Sequence, residues 1–166
     1  MSRNFETQLA GQIGESLVVA ELGRRNIVAT CFAGNVPDID LLAYRDGKTQ
    51  HLKVKAWRNG AVNFDARRFL NIKIENNIQT VEGPDKSLDP NLIFVFVKIG
   101  NKIGNDKFFI LQQSALQLII QKNYIEFIDS YKGDIPRNRQ KTQNSVNLQH
   151  LFPYYDNWNI IEQSFL

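Results

Sequence analysis

The sequence predicts an α/β (α+β) fold, a mixed central β-sheet flanked by helices, and three observations carry that reading. Apolar residues recur from Phe5 through Leu9, Ile13, Leu17, Val18 and Leu22 at the three-to-four spacing of one helical face. Two β-like runs then flank an Asp46-Gly47 pair, which signals a tight hairpin. A later continuous apolar run, Leu92 to Ile99, has the length and composition of a buried strand.

In chain order, the opening helix is expected to stop near Gly23 and Asn26. Ile27 to Phe32 reads as a strand and Ala33-Gly34-Asn35 as a turn. Ile39 to Tyr44 and Thr49 to Trp57 complete a three-strand meander. Ala61 to Ile74 reads as a further hairpin or an irregular extension, and Gly83 to Pro90 as a loop. Leu92 to Ile99 pairs with Lys107 to Leu111 across Gly100 to Asp106. Ser114 is expected to N-cap a helix through Ile120, with a second helix over Tyr124 to Tyr131. Lys132 to Ser145 is polar and basic and reads as flexible. The tail from Val146 is rich in aromatic and aliphatic residues and should dock back on the body. One domain over 1–166 is expected, with a core at about 5–111, an insertion at 57–74 and a C-terminal helical and aromatic segment at 112–166.

Composition narrows the function. The 166 residues are 43% hydrophobic and 22% charged, ordinary for a globular protein. The run Leu92 to Val97 is far shorter than the roughly 20 residues that span a bilayer. The start, Met1-Ser2-Arg3-Asn4-Phe5-Glu6, has no apolar stretch of an export signal, so a cytoplasmic protein is expected. A single cysteine, Cys31, excludes an internal disulfide and a cysteine-rich zinc site, and its apolar flanks predict an inert core thiol. Glycine loops of the Walker or dinucleotide type are absent, which leaves nucleotide-cofactor enzymes without support.

Twenty Lys plus Arg against 17 Asp plus Glu give a net charge of only +3, so the positions of the charges matter more than their sum. Lys55, Arg58, Arg67, Arg68 and Lys73 form one basic stretch with Asp65 as its only acid. Lys132, Arg137, Arg139 and Lys141 form another, with Asp134. The first follows directly on the third strand, and a two-stranded ribbon there would fit the DNA major groove. Arg58, Asn59, Asn63, Arg67, Arg68 and Lys73 are its candidate DNA contacts, and Arg137, Arg139 and Lys141 are a second set facing phosphate.

Three segments combine into a chemical site. Glu15 lies on the first helix within Gly11-Gln12-Ile13-Gly14-Glu15. Asp38 and Asp40 lie in Val36-Pro37-Asp38-Ile39-Asp40, at the start of the second strand. Lys53 and Lys55 lie on the third, in His51-Leu52-Lys53-Val54-Lys55. Strand alternation sets Lys53 and Lys55 opposite Leu52 and Val54, and hairpin pairing brings Asp40 and Lys55 toward one face. Carboxylates drawn together need a cation, and a divalent metal with oxygen ligands meets that need.

Glu on helix one, Pro-Asp, a hairpin and then Val-Lys resemble the PD-(D/E)XK nuclease superfamily, over roughly Gln8 to Trp57. Gly-x-x-Gly-Glu, Asp-Leu-Leu-Ala and Val-Lys-Ala are similar to its small bacterial branches. The length and the tail Tyr154-Tyr155-Asp156-Asn157-Trp158 are similar to those of cyanobacterial intron-encoded homing endonucleases within it. The resemblance implies a restriction-endonuclease-like core and a metal-dependent, site-specific DNA endonuclease using Mg2+ or another divalent cation. It implies double-stranded DNA as partner and a homo-oligomer, dimer or tetramer, because cutting both strands needs two sites related by symmetry.

Carried over by position, Asp40 is the metal-binding aspartate and Asp38, directly after Pro37, is the other candidate. Glu15 is the accessory carboxylate, and Lys55 orients water or steadies charge on the phosphate. The chain departs from the pattern at Lys53, where Glu, Asp or Gln is expected. Two unit charges about 4 Å apart interact by roughly 4 kcal/mol at an effective dielectric of 20, so Lys53 opposes metal binding. A catalytically inactive DNA-binding relic, a Holliday-junction-resolvase-like or restriction-type nuclease, and a structural ion-pair module are the alternatives. His51 shares strand parity with the lysines but reads as structural, as does His150. Trp57 and Trp158 read as core or interface anchors.

Overall fold

The computed structural model describes residues 3–32, 39–132 and 140–166. The expected turn at Ala33-Gly34-Asn35, together with Asp38, Arg137 and Arg139, lies outside the described residues. Contacts divide the chain into two compact units: Met1–Gly60, Leu92–Gln112 and Leu151–Leu166 form one, Ala61–Asn91 and Gln113–His150 the other.

The first unit opens with helix α1, Arg3–Arg24. Its buried positions Ala10, Gly14, Val18 and Leu22 repeat every fourth residue, and Ile13 and Leu17 widen the stripe. Asn26, with a φ of 58°, ends it in the left-handed conformation, and the Ile27 N–H turns back to the Leu22 carbonyl at 3.0 Å. Strands β1, Val28–Cys31, β2, Leu41–Arg45, and β3, Lys48–Trp57, form the expected antiparallel meander. Asp46 and Gly47 both have positive φ, the conformation the tight β2–β3 turn requires.

In the second unit, β4, Val62–Asp65, leads into a 3-10 turn at Ala66–Arg68. Strands β5, Leu70–Glu75, and β6, Ile78–Pro84, form an antiparallel ribbon with a bulge between Asn71 and Ile72. The chain returns to the first unit with β7, Ile93–Lys98, and β8, Lys107–Gln112. These complete a five-stranded mixed sheet in the order β1-β2-β3-β7-β8, with β3 and β7 parallel. Helix α2, Gln113–Asp129, and strand β9, Gln143–Val146, belong to the second unit, and β9 pairs with β4. Short helices α3, Leu148–Leu151, and α4, Asn159–Gln163, close the chain.

The tail docks within the first unit as expected. Trp158, Ile161 and Phe165 are buried in the same apolar cluster as Val18, Leu22, Leu41, Leu52 and Val95. The Arg25 guanidinium lies over the Trp158 ring at 4.5 Å, and Arg45 Nη2 donates to the Glu162 carbonyl at 3.0 Å. In the second unit, the Tyr124 hydroxyl is buried, donates to Gln79 Oε1 and contacts the Lys141 carbonyl.

Five expectations about elements are corrected. Ala61 to Ile74 is not a hairpin: β4 takes β9 as its partner, and the hairpin is β5–β6, turning at Asn76 and Asn77, both of positive φ. Asparagine tolerates that conformation, so the Asn-Asn pair was the available signal. The ribbon runs to Pro84, into the segment read as a loop. Ser114 does not cap its helix; α2 starts at Gln113, and the Ser114 N–H goes to the Pro90 carbonyl. The two expected helices are one, because Gln121, Lys122 and Asn123 carry no breaker and burial continues through Leu116, Ile120, Tyr124 and Ile128. Within Lys132 to Ser145, residues 143–145 lie in β9, where Asn144 is buried.

Candidate active site

The site begins with a close approach of helix to sheet. Gly14 is buried, and a Cβ there would overlap the Cβ of Ala56. Only glycine lets α1 approach β3 this closely, and the next residue on the helix is Glu15.

Asp40 stands one residue before β2. Its backbone N–H donates to the Leu52 carbonyl at 3.0 Å, and its carbonyl accepts the Phe32 N–H at 3.1 Å. Its side chain does a third job: Oδ2 accepts the Val54 N–H at 2.7 Å. β3 continues past the point where β2 begins, so this N–H has no β2 carbonyl to meet, and the carboxylate satisfies it. Asp40 is thereby fixed in the plane of the sheet.

Glu15 lies within electrostatic range of this carboxylate. Burial raises the Glu15 pKa above its ordinary 4.5, and the negative charge of Asp40 raises it further. Cys31, which pairs with Leu41 across β1–β2, opposes this as a hydrogen-bonding partner of Glu15. The thiol is itself raised, by burial and then by the Glu15 charge. Cys31 is an exposed residue, which corrects the expectation of a core thiol. Apolar neighbours in sequence did not bury it: among the described residues β1 pairs with β2 on one side only.

Lys53 and Lys55 are half-buried on β3. Val54 and Ala56 face Gly14 of α1, so by alternation the two lysines set out from the opposite face, in register with Phe94 and Phe96 of β7. They flank the Val54 N–H that holds Asp40. His51 shares their face and is exposed, opposite Leu42.

Metal fit rests on the donor set. Among the described residues no group of three or more His, Cys, Asp or Glu could hold a metal ion. Of the described residues expected at this site, Glu15 and Asp40 are the carboxylates. That matches Mg2+, which keeps several waters and takes one or two carboxylates together with phosphate oxygens.

The remaining candidate residues lie elsewhere. Arg58 and Asn59 are exposed just beyond β3. In the second unit, Asn63, Arg67 and Lys141 line one open recess of about 390 Å³, together with Asp65 and Thr142. Arg67 is bound to Asp65 at 3.0 Å, and Asn63 Oδ1 accepts the Ser145 hydroxyl at 2.7 Å. Arg68 is exposed, and Lys73 is paired with Glu75 on β5 at 2.9 Å. His150 Nδ1 accepts the Asn147 N–H at 3.1 Å, a helix-start contact. Trp57 packs against Phe96 and Phe109, and Trp158 against Phe108. Among the described residues no helix is long and apolar enough to cross a membrane.

No family model matches the chain, and no curated protein matches it in sequence. Among solved structures the chain is similar to a bacterial homing endonuclease, I-Ssp6803I, with a TM-score of 0.50. The two share 13% sequence identity, over 95% of this chain and 94% of the other. At that identity the likeness speaks to the fold.

Proposed function

We propose that the chain is a metal-dependent, site-specific DNA endonuclease of PD-(D/E)XK type, homing-endonuclease-like and acting as a homo-oligomer. One observation carries the reading: Asp40 is pinned to the Val54 N–H between Lys53 and Lys55, one residue before β2, with Glu15 within electrostatic range of it. The fold shared with a bacterial homing endonuclease supports it.

In this reading Glu15 and Asp40 hold Mg2+ or another divalent cation. The ion, when bound, polarises the scissile phosphate and promotes loss of a proton from water. Asp40 is oriented before substrate arrives, because the sheet fixes its carboxylate. Glu15 is the accessory carboxylate that holds the ion beside Asp40 or orients the attacking water. Lys55 lends positive charge to the phosphate as negative charge builds on its oxygens. Arg58, Asn59, Asn63, Arg67, Arg68, Lys73 and Lys141, with Arg137 and Arg139, are the proposed DNA contacts. Asp38 is the proposed alternative metal ligand.

Lys53 favours a second reading, a DNA-binding relic without catalysis, because its ammonium opposes a metal held by Asp40. Magnesium-dependent cleavage of a mixed DNA library by this chain and by Lys53→Gln, run in parallel, tests both. Discrete cuts by either form support the nuclease. Salt-sensitive binding with no cutting by either supports the relic, and loss of binding as well removes DNA from the account.

A further inference from the structure

The two faces of the β1–β2–β3 meander are finished differently. Leu41, Ala43, Leu52 and Val54 point to one side and join the apolar cluster that takes in α1 and the tail. On the other side, the registers set Val28 beside Tyr44, Leu42 beside His51 and Tyr44 beside Thr49. Paired residues share a face, so these side chains lie with Lys53 and Lys55 on the side away from α1. That side is open. Val28 is 69% and Tyr44 48% exposed, and Thr49 and His51 are exposed with them. Neither the His51 ring nor the Tyr44 hydroxyl has a hydrogen-bond partner among the described residues.

We propose that this open face is where the DNA backbone lies, with Tyr44, Thr49 and His51 contacting the phosphates and sugars next to the phosphate at Lys55. The proposal rests on the nuclease reading and adds the side of the sheet from which the substrate arrives. Lys53 and Lys55 start from this face, and α1 packs on the other at Gly14. A phosphate that meets Lys55 therefore comes from the open side. Alternate residues of a strand lie roughly 7 Å apart, so the row Lys55, Lys53, His51, Thr49 extends roughly 20 Å along β3. That is a little over half of one duplex turn of about 34–36 Å.

Side-chain chemistry selects the occupant. A solvated sheet face is ordinarily polar, and this one keeps Val28, Leu42 and Tyr44. Its strand positions carry two lysines and no acid. The nearest carboxylate at one end, Asp40, is turned to the Val54 N–H. The nearest acid at the other end, Asp46, lies in the turn beyond Thr49, 3.9 Å from Arg45. Between them stand cations, hydroxyls and an imidazole, with no negative charge to repel phosphate. Lysine, threonine and tyrosine side chains are ordinary contacts to the phosphates and sugars of DNA, and such contacts set its position on the protein.

Fluorescence anisotropy of a labelled mixed-sequence duplex, titrated with the full chain over a salt series in metal-free buffer, tests the face. Thr49→Lys should tighten binding and steepen the slope of log K against log salt by about 0.9, the mark of one more phosphate neutralised. Gln163→Lys adds the same charge at an exposed position of α4, whose Ile161 joins the cluster on the opposite side of the sheet. It should leave the slope at the parent value. His51→Glu and Tyr44→Glu should weaken binding and flatten the slope, with an unchanged circular dichroism spectrum. Thr49→Lys behaving like Gln163→Lys, or both Glu variants binding like the parent, overturns the face and leaves DNA binding standing. A parent that binds no duplex at any salt removes the DNA reading and the face with it. Variants that shift as expected, in a chain that never cuts once Mg2+ is added, support the face and overturn catalysis alone.

Discussion

Two carboxylates of this protein sit in opposite electrostatic surroundings. Asp65, in the second unit, accepts hydrogen bonds from the Arg67 N–H and guanidinium and from the Thr142 hydroxyl. Those partners lower its pKa to about 2. Glu15, in the first unit, is partly buried beside Asp40, and its pKa is raised. Asp65 carries its own cation and closes a turn. At Glu15 burial raises the pKa, the Asp40 charge raises it further, and a cation bound there would oppose both. The contrast separates a structural carboxylate from a candidate metal site more sharply than residue type does, and substitutions can test it at each end.

The largest effect is expected at Asp40. Asp40→Asn keeps a side-chain oxygen to accept the Val54 N–H, so the meander should persist while the charge is lost. Even outer-shell partners of metals cost about 10–100-fold when removed, so cleavage should fall by at least about 100-fold. Circular dichroism with a plasmid-nicking assay checks both halves, and cleavage near the parent rate would remove Asp40 from the site.

Next comes Gly14. Its missing side chain sets the approach of α1 to β3 and hence the position of Glu15. Gly14→Ala forces the helix outward, and overpacking of this kind costs about 1–3 kcal/mol. A drop in denaturant midpoint together with weaker Mg2+ response is the expected pair of results. An unchanged midpoint would mean that the helix yields freely and does not fix the site.

Asp65→Asn should cost less, about 0.2–1 kcal/mol, because Asn still caps the turn and only the exposed ion pair with Arg67 is lost. It should leave the Mg2+ response untouched. The pH dependence is also set: the Asp65 pKa is lowered, from 3.8 to about 2, so the stability it contributes is full above 3.8 and is lost as pH falls through about 2. Acid unfolding of the parent and the variant should converge at the low end.

The first unit was largely legible in the sequence because its signals are local. Helical spacing of Leu9, Ile13 and Leu17, the Asp46-Gly47 turn and the six-residue run at Leu92 each fix an element without help from distant residues. The second unit was less legible because its pairings are not local: β4 finds β9 about eighty residues away, and no pattern within residues 61–74 names that partner. In the site, the order of Glu15, Asp40 and Lys55 was readable. The Val54 N–H as the anchor of Asp40, and Cys31 beside Glu15, were not, since both depend on where β2 ends and on β1 lying at an edge.

The smallest effect is expected at Glu15, and its sign decides the comparison. A carboxyl group whose pKa is raised in the folded state binds its proton more tightly there than in the unfolded chain. Stability is therefore greatest below 4.5 and falls as pH rises through the folded-state value. Glu15→Gln removes that fall. Without metal, the variant should be slightly more stable than the parent at neutral pH, by well under about 1 kcal/mol once solvent screening is allowed for. Adding Mg2+ should stabilise the parent and leave Glu15→Gln nearly unmoved, because the ion relieves a repulsion that only the parent has. Thermal melts from about pH 4 to about pH 8, with and without Mg2+, read all of this. A variant less stable than the parent in metal-free buffer would make Glu15 a structural partner like Asp65, and the distinction between the two carboxylates would collapse.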